Sequence, residues 1–162
     1  MSSDVPSGNP SGPEELQVLS DRVRVLTGGE LTGGRYEVFE VNGTAGSGAP
    51  LHQHPWDEEF HLLEGEVVIG VADRWDRYVA GQSLRVPAGV LHGFRVVSPL
   101  ARFLALTSPA GAGELFRALH HAAAQAPLTE EIIVRISTEH QVSGPSGVRT
   151  IKAPRRKRSP GR

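Results

Sequence analysis

The chain has no cysteine. That absence excludes disulfides, thiolate metal sites and cysteine nucleophiles at once, and it leaves the redox compartment open. There is also no apolar run approaching the ~18 residues that a helix needs to cross a bilayer. Residues 1–13 combine neither a basic start nor an apolar stretch, so no secretory signal is expected and the cytoplasm is the default location. Lysine is scarce, two residues against fifteen arginines, a bias of codon usage more than of chemistry. What residues 152–162 lack is negative charge: they carry six cations and no anion. The net charge of −1 therefore hides a body with 11 cations against 18 anions, or −7. No aromatic residue interleaves the basic tail and the body is acidic, so nucleic-acid binding is not expected. The tail reads as a solvated end.

At 162 residues the chain fits one domain with flexible ends. Residues 1–13 are rich in Ser, Gly and Pro and predict disorder. Short alternating segments then recur at 23–26, 35–41, 58–63, 66–71, 83–86, 93–97 and 102–106, most of them bounded by Gly, Pro, Asn or Asp. Glu64-Gly65-Glu66 and Pro87-Ala-Gly89 read as tight turns between strands. Many short strands with no long helix among them predict an antiparallel barrel or jelly roll. The period then changes. Leu115, Phe116, Leu119 and Ala122 or Ala123 fall at helical intervals. Thr129 is placed to cap a second helix with Ile132, Ile133 and Ile136 as its stripe. Both helices are expected to pack outside the barrel in a structural role. The expected divisions are a disordered segment at 1–13, a barrel at 14–110, helices at 111–141 and a flexible basic tail at 142–162.

His52 and His54 stand two residues apart. Residues i and i+2 of a strand share a face, so both imidazoles can converge on one point. Glu58 follows in the run Asp57-Glu58-Glu59, and His92 comes after the Pro87–Gly89 turn. Three imidazoles and a carboxylate suit one divalent transition metal ion such as Fe, Mn, Ni, Cu or Zn.

The two segments resemble the paired motifs of the cupin superfamily. The first, G-x5-H-x-H-x3,4-E-x6-G, is met by Gly46, His52, His54, Glu58 and Gly65 without insertion. Its last interval selects Glu58 over Glu59 as the carboxylate. The second, G-x5-P-x-G-x2-H-x3-N, is met by Gly81, Pro87, Gly89 and His92, with Val96 where the motif has Asn. That Asn does not ligate the metal, so the change bears on hydrogen bonding at the strand end. Nine positions in two correctly ordered blocks are a specific match. The segment 101–119, with Ser-Pro-Ala-Gly leading into a helix, is similar to the end of small quercetin dioxygenase-like cupins. The resemblance implies an all-β fold, a cupin-type double-stranded β-helix (jelly-roll barrel) with two C-terminal α-helices. It also implies a homodimer and a small-molecule substrate.

Strand parity then predicts the site's surroundings. With Glu58 inward, Phe60 and Leu62 are inward too, while Glu59, His61 and Leu63 face away. After His92 the inward set is Phe94 and Val96. On the early strand it is Tyr36, Val38 and Glu40, or the opposite parity. Trp56 is expected near the cavity entrance, whereas Trp75 can line the mouth or pack. Arg85 and Arg95 are the cations nearest in sequence. His120, His121 and His140 read as solvated. A largely apolar cavity beside a metal suits an aromatic or polyketide-type molecule. Three imidazoles and a carboxylate leave coordination positions open, as catalytic sites do. The expected function is an oxygenase or tailoring enzyme with Glu58 as a proton acceptor. A non-oxidative cyclase or isomerase on the same ligands, or a binding protein without turnover, are the alternatives.

Overall fold

The computed structural model of the protein describes residues 11–145. The first ten residues of the segment expected to be disordered, and the basic tail from 146 onward, lie outside these.

Ten strands and three helices follow in order: β1 (Glu14–Val18), β2 (Asp21–Thr27), α1 (Gly29–Thr32), β3 (Glu37–Thr44), β4 (Gly48–His52), β5 (Asp57–Glu64), β6 (Glu66–Val71), β7 (Arg74–Val79), β8 (Ser83–Val86), β9 (His92–Val96), β10 (Leu100–Ser108), α2 (Ala112–Gln125) and α3 (Glu130–Glu139). One sheet has six strands in the order β1-β2-β3-β10-β5-β8, the other four in the order β4-β9-β6-β7. Every pairing within the two sheets is antiparallel. This is the cupin jelly roll with two C-terminal helices. Strands β1, β4 and β7 had no clear alternation to announce them: β4 is interrupted by Pro50 and β7 is Arg-rich.

The core follows from inward alternation on both sheets. Phe39 and Val41 of β3, Phe60 and Leu62 of β5, Val67 and Ile69 of β6, Val96 of β9 and Phe103 of β10 are all buried. On β3 the opposite parity holds. Glu37, Phe39 and Val41 point inward, whereas Tyr36 is exposed and Val38 and Glu40 lie on the outer face. The physical reason is Glu37. Its carboxylate is buried because it accepts hydrogen bonds from Thr107 Oγ1 (3.3 Å), Gly111 N (3.0 Å) and Gly113 N (3.1 Å). These last two donors are backbone groups at the start of α2 that the helix cannot satisfy itself. A strand carboxylate thus fixes the helix to the barrel.

Gly65 turns β5 into β6 at φ 77°, and a Cβ there would lie 2.1 Å from the Leu100 carbonyl oxygen, so no other residue fits. Thr129 caps α3, accepting from the Ile132 N–H. Ile136 is buried and Ile132 packs on the core, while Ile133 stays half-exposed. His120 and His140 are not free in solvent: His120 Nδ1 accepts from the Gln17 N–H at 2.9 Å, and His140 Nδ1 bonds the Ile136 carbonyl. The first bond ties α2 to the edge strand β1. No helix of the described residues is long and apolar enough to cross a membrane.

Candidate metal centre

His52 ends β4, His54 follows it, Glu58 opens β5 and His92 opens β9, and β4 and β9 pair through His52 and His92. The ligand-type atoms of these four side chains lie within 4.8 Å of one another. His54 Nε2 and His92 Nε2 stand 3.0 and 3.1 Å from the same Glu58 oxygen, Oε2. The His52 ring lies 4.4 Å from that of His92 and 5.4 Å from that of His54. Glu58 is nearly enclosed, its side chain 13% exposed. Glu59 is 41% exposed and faces outward to His61. His61 bonds Glu59 and Ser83 Oγ and takes no part in the cluster.

The second nitrogen of each ring explains the first. His52 Nδ1 lies 2.7 Å from the Pro50 carbonyl, His54 Nδ1 2.9 Å from the Trp56 carbonyl, and His92 Nδ1 2.8 Å from the Val90 carbonyl. A carbonyl only accepts, so each Nδ1 carries the proton and donates, and each Nε2 turns its lone pair inward. Such bonds orient imidazole ligands and raise their basicity in metal sites. Two imidazole lone pairs facing one carboxylate oxygen require positive charge between them, a proton or a metal cation. The donor set therefore fits a divalent transition metal ion.

The titration behaviour agrees with this crowding. Burial opposes the charged Glu58 carboxylate, yet the bonds and charge of His54 and His92 hold its carboxyl down to about 2. Burial also opposes a charged His92, but the bond to Glu58 outweighs it and the ring is raised. His52 has no such bond. Burial, reinforced by His92, takes it down to about 4, so it is neutral at pH 7, the form that ligates metals.

Trp56 is not at an entrance. It is buried, stacked on His54 with ring centres 4.4 Å apart and planes 12° apart, and packed against Gly111. Its carbonyl and its ring thus clamp one imidazole from two sides. Trp75 lies over Gly70, where the missing side chain admits the indole.

A cavity of about 90 Å³ adjoins the cluster. Phe60, Phe94 and Trp56 line it. Leu62 and Val96 do not. They share the inward parity but sit further along β5 and β9, buried beside Phe103 and Val67 of the neighbouring strands. Neither arginine reaches the cavity; Arg85 pairs with Asp57 on the outside. Sequence reasoning missed several wall residues. Ala112, Leu115 and Phe116 make α2 part of the wall, so that helix does more than cover the barrel. Val142 closes the wall from the segment expected to be a free tail. Gln53, between two of the histidines, exchanges backbone hydrogen bonds with Ser143 at 2.8 and 3.1 Å. Asp21 also lines the cavity. Its signal was legible: it is an acid on the inward parity of β2, ahead of Val23 and Val25.

Residues 39–106 match the model of the cupin domain, and the two-sheet barrel agrees with that match. A quercetin 2,3-dioxygenase of Bacillus subtilis is 27% identical over 108 residues, covering 65% of this chain. The chain spans about a third, 32%, of that relative's length. Among solved structures, an RmlC-like cupin from Shewanella frigidimarina superposes with a TM-score of 0.56 at 19% identity, covering 65% of this chain and 91% of its own. The polyketide cyclase RemF from Streptomyces resistomycificus gives a TM-score of 0.53 at 22% identity, over 63% of this chain and 78% of its own. At these identities the two structures speak for the fold.

Proposed function

We propose that the protein is a metal-dependent cupin enzyme, an oxygenase or tailoring enzyme of the quercetin-dioxygenase type acting on an aromatic or polyketide-type small molecule. The observation that carries this reading is the set of three imidazoles whose Nδ1 protons are tied to backbone carbonyls, leaving three Nε2 lone pairs and Glu58 to hold one ion. A divalent ion held there supplies a Lewis acid beside an apolar cavity. The chain's own residues do the rest. Glu58 accepts a proton at Oε2, the oxygen already facing two imidazoles. Phe60, Phe94 and Trp56 exclude water and set the plane of an aromatic guest. The volume limits that guest: about 90 Å³ is well below the ~300–1,000 Å³ of sites for drug-sized ligands. One ring fits the cavity as it stands, and a flavonol-sized substrate requires movement of α2. A homodimer in the cytoplasm completes the proposal, with light scattering of the purified protein as its check.

The test begins with elemental analysis of protein purified without chelator or metal-affinity tag, then oxygen uptake with phenols, catechols and flavonols. About one Fe, Mn, Ni or Cu ion per chain and oxygen consumption matching substrate loss is the expected result. Conversion without oxygen uptake would select the cyclase or isomerase reading on the same ligands. Metal without conversion would select a binding protein. Failure to bind metal after reconstitution would remove the enzyme reading.

A further inference from the structure

Buried polar atoms in a folded protein are almost always hydrogen-bonded, and each exception calls for an explanation. Among the described residues, Asp21 Oδ1 and Ser47 Oγ are fully buried and find no hydrogen-bond partner beyond each other. Asp21 as a whole is 4% exposed and Ser47 5%. The two atoms belong to one place. A Cβ on Gly43 would lie 2.6 Å from Ser47 Oγ, 2.7 Å from Asp21 Oδ1 and 2.8 Å from a Val96 methyl group, so the absence of a side chain at Gly43 makes room for both. Asp21 points inward by the parity of β2, with Val23 beside it, and both line the cavity that the metal cluster adjoins. The turn before it is braced by Gln17, whose amide donates to the carbonyls of Leu19 and Asp21. Burial pushes the Asp21 carboxyl above its usual range, and a hydrogen bond with the Ser47 hydroxyl pulls it back in part.

We infer that Asp21, with Ser47 behind it, forms a polar subsite in the cavity that receives an uncharged hydroxyl or carbonyl group on an otherwise apolar substrate. The inference rests on the reading of this cavity as the substrate site, and it names the class of substrate. The subsite and the metal cluster sit at different levels of the barrel. Val96, beside the pair, and His92, in the cluster, are four residues apart on β9, roughly 13 Å along an extended strand. A one-ring guest that fills the cavity places its neutral polar group at Asp21, and only a longer guest reaches both levels. A carboxylate or phosphate is rejected at Asp21, because a second buried anion beside it has no cation to pair with: no Lys, Arg or His other than the cluster histidines lines the cavity.

Fluorine NMR titration of the metal-loaded protein tests this with three probes of one shape: 4-(trifluoromethyl)phenol, (trifluoromethyl)benzene and 4-(trifluoromethyl)benzoate. The wild type is expected to bind the phenol roughly tenfold more tightly than the hydrocarbon and the benzoate least. Asp21→Leu should erase the preference for the phenol while retaining metal content and hydrocarbon binding. Asp21→Asn, which keeps shape and hydrogen-bonding capacity, should restore part of the preference, and Ser47→Ala should reduce it. Should Asp21→Leu fail to fold, these last two variants decide the matter alone. A preference unchanged in all three variants would overturn the inference and leave the substrate-site reading standing. Absence of binding by every probe, with metal in place, would overturn both.

Discussion

Two of the buried polar groups in the barrel, around Glu58 and around Asp21, differ in how they are satisfied. Around Glu58, the groups hold one another: the carboxylate meets His54 and His92, and all three imidazoles are tied to carbonyls. Around Asp21, two polar atoms are buried against Gly43 and Val96 and, among the described residues, find no partner beyond each other. A saturated cluster is rigid and holds one geometry whatever occupies the cavity. An unsaturated pair is costly to bury and becomes favourable only when something fills it. The comparison separates the proposed ion site from the proposed guest site.

Removing a cluster ligand should break the comparison most severely. His92→Ala and Glu58→Ala are expected to lower metal affinity by more than about 100-fold, since loss of an outer-shell partner alone costs 10–100-fold. His61→Ala, on the outward face, should leave metal content unchanged. Competition with a chromogenic chelator reads this, and equal retention in all three variants would refute the ligand assignment. The same experiment at lower pH should show metal release as protons compete for the imidazoles.

Next in size is Glu37, a buried carboxylate whose three donors are saturated like those of Glu58. Glu37→Ala strands two backbone N–H groups at the start of α2 and should cost about 2–4 kcal/mol of stability, read as a lowered urea midpoint. An unchanged midpoint would mean that the helix is held by its apolar face alone.

A smaller effect is expected from the strand-like strap over the cluster. Ending the chain after Gln141 removes Val142 from the cavity wall and the Ser143 bonds to Gln53, between His52 and His54. Metal affinity should fall by about tenfold, the lower end for loss of ligand support. Affinity equal to that of the full chain would show that β4 and β9 position the histidines unaided.

The smallest effect sharpens the other side of the comparison. Burial raises the Asp21 carboxyl in the folded chain above its unfolded value of 3.8. Between those two values the folded state binds more protons, so stability declines as pH rises through that window and stays reduced above it. Asp21→Asn removes the ionisation. The variant should therefore gain stability relative to the wild type on going from pH 4 to pH 7. Urea midpoints at the two pH values measure it. A difference independent of pH would mean that the Asp21 carboxyl titrates alike in both states.

Much of this was legible in the residues. His52 and His54 two apart, Glu58 with six residues between it and Gly65, and His92 behind a Pro-Ala-Gly turn announce a converging donor set, because strand parity is a local property. Parity on β3 was not legible. Its two faces mix charge with bulk, Tyr36-Val38-Glu40 against Glu37-Phe39-Val41, and the burial of Glu37 depends on donors some 70 residues away. Trp56 was misplaced for a like reason. An indole between ligands can stand at a mouth or stack on a histidine, and the arrival of Gly111 from the start of α2 decides for stacking.

The sequence by itself determined the barrel, its helices and the four residues of the metal cluster, since alternation, turns and short spacings are encoded within a few residues of each other. Only the tertiary structure decided which carbonyls orient the imidazoles, that α2 and Val142 wall the cavity, and that Asp21 and Ser47 meet beside Gly43. These depend on segments brought together from distant parts of the chain, and no local pattern records which atoms will be left facing each other once the core has closed.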